Sequence, residues 1–284
     1  MKRLLALSCL LAGTTLSYAD NLLYGNNADF GSPYVYQIDK TTGAVLNTYS
    51  NLSGNNGRGV VVVGDTMYYT SASTNSIFSY TLSTHTNNGA VFSIPGASGL
   101  STIAYDGTNF YIGDYSGTNA VYEYTPTGTL LNTLHLQNCT GYCDGLEYFI
   151  QNGTGYLVEN RGDSVGPYDL YNLDGTLKTA DFIPAPPVGS SGTTGIAFDG
   201  TDFYTSNIFQ GSLSEWDING AFVRTFNITG TSPSFPPLVE DLSADYSQVL
   251  PPPNPNPIPE PSSFILLGSG AVGLAGALRR KLRA

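Results

Sequence analysis

"GLSTIAYDGTNFYIGDYSGTNAVYEYTPTGTLLNTLHL", residues 99 to 136, aligns almost without gaps with "GTTGIAFDGTDFYTSNIFQGSLSEWDINGAFVRTFNIT", residues 192 to 229. Each stretch holds a short apolar strand, an Asp-Gly turn and a second strand carrying Phe-Tyr. A polar loop, a third strand ending in an aromatic, a glycine turn and a fourth strand follow. Strands this short, separated by turns of this kind, form a four-stranded antiparallel meander. Two weaker copies follow the same plan: "GRGVVVVGDTMYYTSASTNSIFSYTLSTHTNNGAVFSI" from Gly57 and "DGLEYFIQNGTGYLVENRGDSVGPYDLYNLDGTLKTADFI" from Asp144. With Gly59, Gly99, Gly145 and Gly195 as anchors, the steps are 40, 46 and 50 residues. Repeats of that length suit the blades of a β-propeller.

The flanks of the repeat region supply one more blade in two pieces. "NLLYGNNADFGSPYVYQIDKTTGAVLNTYS" from Asn21 has strands two, three and four but no first strand, and "EDLSADYSQVL" from Glu240 is an isolated first strand. Asp241-Leu242 falls where Gly195-Ile196 falls in its repeat. Joining the two pieces closes a ring and covers two sheet edges that would otherwise invite aggregation. The expected fold is therefore all-β: a five-bladed propeller of four-stranded antiparallel blades over residues 20–250. The strand around Leu242 to Tyr246 should pair with the segment around Leu22 to Tyr24.

The two ends of the chain read as export signals. Lys2 and Arg3 precede an apolar run from Leu4 to Leu11, and Ser17-Tyr18-Ala19 offers small residues for cleavage before Asp20, so residues 1–19 form a secretory signal peptide. Cys9 does not make this a lipoprotein signal, because Ala6 stands where a branched apolar residue is wanted. At the other end, residues 251–258 form a Pro-rich, extended linker. Residues 262–278 carry no charge and, at about 1.5 Å per residue, would span roughly 25 Å as a transmembrane helix. Arg279, Arg280, Lys281 and Arg283 behind them form a stop-transfer cluster that stays in the cytoplasm.

Pro259-Glu260-Pro261, then an apolar segment with Gly268, Gly270, Gly273 and Gly276, then the Arg/Lys cluster, resembles the PEP-CTERM sorting tail of exported Gram-negative bacterial proteins. The resemblance covers residues 259–284. It implies recognition of Pro259, Glu260 and Pro261 by an exosortase-type membrane protease. It further implies transient anchoring through the C-terminal helix, then delivery to the cell surface or extracellular matrix, where extracellular polysaccharide or a surface protein would be the partner.

Without residues 1–19 and 262–284 the chain keeps five Lys and Arg against all 22 Asp and Glu, from Asp20 to Glu260, a formal charge of about −17. So acidic a body repels nucleic acid and anionic lipid, and no basic stripe suggests DNA or RNA binding. Composition supports a packed core: 41% of residues are hydrophobic and 20 are tyrosines.

Many conspicuous residues have structural explanations. Asp106-Gly107, Asn152-Gly153 and Asp199-Gly200 suit tight turns between strands one and two; Thr127-Gly128, Asp174-Gly175 and Asn219-Gly220 suit those between strands three and four. Phe110-Tyr111, Tyr122, Tyr124 and Phe203-Tyr204 read as packing between blades, with an exposed set reading instead as a sugar-stacking platform. Cys139 and Cys143 in "NCTGYC" form a local disulfide on this reading, given an oxidising export route. His85 and His135 lie in no zinc-like cluster.

Loops joining strands two and three emerge with the blade-to-blade connections around the mouth of the central channel. Asn27, Asp114, Glu159 and Asn207 each follow a strand-two tyrosine by three residues, with Ala72 in the second blade. Glu147, on an innermost strand, takes the place of Ser101, Ala197, Ser243 and Val61. Convergence of these oxygen donors would suit a hard cation such as calcium. Such a ring resembles the metal site of gluconolactonase-type propellers, which have six blades; no further motif of that family is present. There is no GxSxG, no phosphate-cradling Gly-Lys-Ser/Thr run, and no nucleophile with a base in context. Two classes of function follow: a noncatalytic surface or matrix protein that binds a glycan, a protein or divalent ions, and a metal-dependent hydrolase or lactonase working at the channel mouth.

Overall fold

A computed structural model describes residues 21–28, 33–115, 120–139, 144–161, 166–187, 191–230 and 238–249. They form five sheets of four antiparallel strands. The first combines β20 (Val239–Ser243) with β1 (Leu22–Asn27), β2 (Val35–Asp39) and β3 (Val45–Tyr49), in the order β20-β1-β2-β3. The second runs from β4 (Gly57–Val63) through β5 (Thr66–Ser71) and β6 (Ser76–Thr81) to β7 (Thr86–Ser93). The third comprises β8 (Leu100–Tyr105), β9 (Phe110–Asp114), β10 (Ala120–Tyr124) and β11 (Leu130–His135). The fourth holds β12 (Leu146–Gln151), β13 (Thr154–Asn160), β14 (Tyr168–Tyr171) and β15 (Leu177–Ile183). The fifth holds β16 (Thr193–Phe198), β17 (Asp202–Asn207), β18 (Ser212–Asp217) and β19 (Phe222–Asn227).

The innermost strands β20, β4, β8, β12 and β16 touch in turn around the ring. The repeat reading and the shared blade are thus both present. Closure pairs Tyr24 with Ser243, Gly25 with Leu242 and Asn26 with Asp241. The closing strand ends at Ser243, earlier than the sequence suggests. From Tyr246 the chain turns into a short helix, α1 (Tyr246–Val249), because Asp245 Oδ1 accepts the Ser247 N–H at 2.9 Å and caps its start.

Alternation along the strands divides the core among the seams between blades. Phe110 packs at the seam between the second and third blades, while its neighbour Tyr111 packs between the third and fourth. Phe203 and Tyr204 divide in the same way between the two seams of the fifth blade. The anchor glycines recur because neighbouring innermost strands pass very close. A Cβ on Gly195 would lie 2.4 Å from the Asp241 Cα, and one on Gly59 would lie 2.6 Å from the Ile103 nitrogen.

The hairpin assignments hold. Asp106 Oδ1 accepts the N–H groups of Thr108 and Asn109, both at 2.7 Å, and Asp199 Oδ1 does the same for Thr201 and Asp202 at 2.8 Å. Asn152 and Gly153 both take positive φ, 53° and 77°. Among the described residues no helix is long and apolar enough to cross a membrane; the segment 262–278 and the signal peptide lie outside them.

Candidate functional site: the central channel and its mouth

The channel is organised around one buried carboxylate on the closing strand. Asp241 is fully buried. Its Oδ2 accepts the Thr102 hydroxyl of β8 at 3.0 Å and the Val60 N–H of β4 at 3.3 Å. Its Oδ1 accepts the Ile196 N–H of β16 at 3.4 Å. The Thr102 hydroxyl oxygen in turn accepts the Leu146 N–H of β12 at 2.9 Å. Two side chains therefore tie all five innermost strands together. Burial pushes the Asp241 carboxyl well above the usual range, and the neighbouring Glu147 charge adds to this, against the bonds it accepts.

Glu147, on the innermost strand β12, is buried as well. Its Oε1 accepts the Tyr148 N–H at 2.9 Å and the Tyr246 hydroxyl from α1, and its Oε2 accepts the Phe198 N–H at 3.1 Å. Burial raises its carboxyl to about 8, opposed by those three donors. Its level in the blade differs from the sequence alignment. Ala197, Ser243 and Val61 pair with strand-two tyrosines, whereas Glu147 pairs with Val158, two residues beyond Tyr156. The register slips in β4, β8 and β16, and at the joint of β20 with β1, but not between β12 and β13. These bulges shift the alignment by residues that no single sequence reveals.

The four strand-two residues do lie at or next to the ends of their strands, and each has local bonds. Asn207 Oδ1 accepts the N–H groups of Phe209 and Gln210 at 3.1 and 3.0 Å, and its Nδ2 donates to the Ser191 carbonyl at 3.1 Å. Asn27 Oδ1 accepts the Leu238 N–H at 2.8 Å. Asp114 Oδ2 accepts the Tyr122 hydroxyl at 3.2 Å. Glu159, fully buried, has its Oε1 3.7 Å from the Sγ of Cys139. In the second blade Ser71, not Ala72, stands at this level, since Tyr68 pairs with Val61. Among the described residues no group of three His, Cys, Asp or Glu side chains is placed to hold one metal ion. Cys139 is buried; its proposed partner Cys143 lies outside the described residues, as do Pro259, Glu260, Pro261 and the basic cluster.

Sequence reading missed the Arg58–Glu240 ion pair at the mouth. Arg58 Nη2 also donates to the Tyr115 hydroxyl at 3.0 Å, and its guanidinium lies 4.3 Å from the centre of that ring. Burial lifts the Glu240 carboxyl to about 7; the Arg58 charge holds it down and the Asp144 charge pushes it up. The signal was present: Arg58 is one of only five basic residues in the body, and four of the five are ion-paired, the others being Lys40 with Asp199, Arg161 with Asp169 and Asp181, and Arg224 with Glu215.

Comparison with protein families matches residues 257–281 to the PEP-CTERM protein-sorting motif. No relative was found among curated proteins. Among solved structures, a chain in the crystal structure of a nidogen/laminin complex is 15% identical with a TM-score of 0.53, covering 80% of this chain and 99% of that one. The glutaminyl cyclase of Myxococcus xanthus is 13% identical with a TM-score of 0.47, covering 67% of this chain and 71% of that one. The first likeness concerns the fold alone. The protein is thus a five-bladed β-propeller with a C-terminal PEP-CTERM sorting motif, which implies export and processing by an exosortase-type system.

Proposed function

We propose that this is a noncatalytic surface or extracellular-matrix protein: the tail sorts it, and the propeller binds a ligand outside the cell. The sorting motif at residues 257–281 carries this reading. The channel chemistry supports it, because Asp241 and Glu147 spend their oxygens on bonds between blades. On this reading residues 1–19 are removed on export, residues 262–278 anchor the chain transiently, and Cys139 pairs with Cys143. A metal-dependent hydrolase or lactonase using Asn27, Asp114, Glu159 and Asn207 around calcium is the competing reading. Metal analysis of the purified protein separates the two: stoichiometric calcium that is lost with Asp114→Ala favours the competitor.

Changing Glu260→Ala is expected to block tail processing and retain the protein in the membrane fraction, since the protease loses the charged centre of its recognition site. Mass spectrometry of cell-associated and released forms reads this directly. An intact Arg279–Arg283 terminus on the released wild-type form would overturn processing. Thiol labelling of the exported protein under native, oxidising conditions is expected to find no reactive cysteine; labelling of both Cys139 and Cys143 would refute the pair.

A further inference from the structure

A cleft of about 510 Å³ opens between the first and second blades, away from the channel mouth. One wall is a face of the first blade. Tyr24, Gln37 and Asn47 are register partners across β1, β2 and β3, so their side chains form one row pointing into the cleft. Gln37 Nε2 donates to the Tyr24 hydroxyl at 3.2 Å, which fixes the amide in that row. The opposite wall comes from two hairpin turns of the second blade, carrying Asp65, Ser83 and His85.

These turns are tightly built. Asp65 accepts the Ser83 N–H on Oδ1 at 2.8 Å and the Ser83 hydroxyl on Oδ2 at 2.6 Å. Asp245 closes the end of the cleft, its Oδ1 accepting the Gly64 N–H at 2.8 Å. His85 takes a positive φ of 52°, rare for a residue with a side chain, and its ring lies 5.2 Å from that of Tyr49. The volume falls within the range of about 300–1,000 Å³ usual for small-ligand sites.

We propose that this cleft binds a neutral hexopyranose unit of a polysaccharide, which gives the surface-binding reading above, on which it rests, a location and a ligand class. Sugar hydroxyls both donate and accept, and the lining offers both kinds of partner: two amides, the hydroxyls of Tyr24, Tyr49 and Ser83, an imidazole and two carboxylates. Leu22, beside the largely buried Tyr24 and Tyr49 in the lining, supplies apolar contact for the C–H face of a pyranose ring. Charge selects among saccharides. Asp65 and Asp245 line the cleft and, among the described residues, no Lys or Arg does, so a uronate meets repulsion that a neutral sugar does not.

The test uses the full chain in mild detergent, titrated by calorimetry with dextran, mannan and galactan as neutral probes and with alginate and polygalacturonate as anionic ones. Binding of a neutral polymer is expected. The double variant Gln37→Ala/Asn47→Ala should weaken it at least about tenfold, as two lost hydrogen bonds imply, while Asn132→Ala on the exposed strand of the third blade should not. Equal thermal melts would show that the variants fold. Neutral binding unchanged by the double variant overturns the cleft, as does failure of every polymer to bind. Preference for alginate or polygalacturonate overturns the charge selection. The surface-binding reading fails separately, if fractionation leaves the wild-type protein in the inner membrane with its tail intact.

Discussion

Truncating the chain before Glu240 is expected to yield a body that aggregates or melts far below the intact protein, whereas truncation after Pro251 leaves the melting temperature unchanged. The first cut removes Leu242, Ala244 and Tyr246, all buried, whose transfer from water contributes on the order of 5 kcal/mol. It also deletes Asp241, leaving the N–H groups of Val60 and Ile196 and the Thr102 hydroxyl without their acceptor. Each orphaned donor costs about 1–3 kcal/mol. The sum rivals the about 5–15 kcal/mol that holds a domain together. Beyond these losses, the inner edge of β1 is uncovered as a template for intermolecular pairing. Thermal melts with light scattering check the result, and coincident curves for the two truncations would refute the role of ring closure.

The second large effect is a stability that falls as pH rises. Glu147 titrates near its usual value when unfolded but at about 8 when folded. Between those values the native state holds a proton that the unfolded chain has released, so raising the pH favours unfolding. The stability is fully present below the unfolded pKa and is lost as pH climbs through about 8. Glu240, raised to about 7, and Asp241 act with the same sign. Glu147 and Glu240 alone are expected to destabilise the body by on the order of 6 kcal/mol between about pH 5 and pH 9. Glu147→Gln, which cannot ionise, should remove much of that slope and raise the melting temperature at alkaline pH. Denaturant titrations across the window test this; an unchanged slope in the variant would show that Glu147 is not the group responsible.

The blades were legible because their signals are local. Asp106-Gly107 and Asp199-Gly200 mark hairpins by turn chemistry, and Gly59 and Gly195 recur because a neighbouring backbone leaves no room for a Cβ. Ring closure was legible because each end lacked what the other supplied. The channel was harder. Asp241 occupies the place of Gly195, and a carboxylate where a repeat keeps glycine was a visible signal of a special role. Its partners on β4, β8 and β16 depend on bulged registers, so they could not be named from sequence. Glu147 lies on an innermost strand, as the repeat alignment has it, but its level and its bond to Tyr246 depend on the same bulges and on α1. The amide row of Gln37 and Asn47 was invisible for a simpler reason. Neither residue is unusual alone, and only the pairing of β2 with β3 puts them side by side.

The sharing of one blade between the two ends of the chain also sets a timetable. In an exported chain β1 reaches the far side of the membrane first among the strands and β20 last, so the first blade waits for its innermost strand until all the others have crossed. No ring can close early, and the inner edge of β1 lacks its native partner throughout transit. Once Ser243 has crossed, only the short helix, the linker and the sorting tail remain. Completion of the barrel-like ring and arrival of the tail at its protease therefore fall together. On the proposed sorting route, a cut at the tail would act on a finished propeller, and a chain interrupted before its last strand would never present that signal.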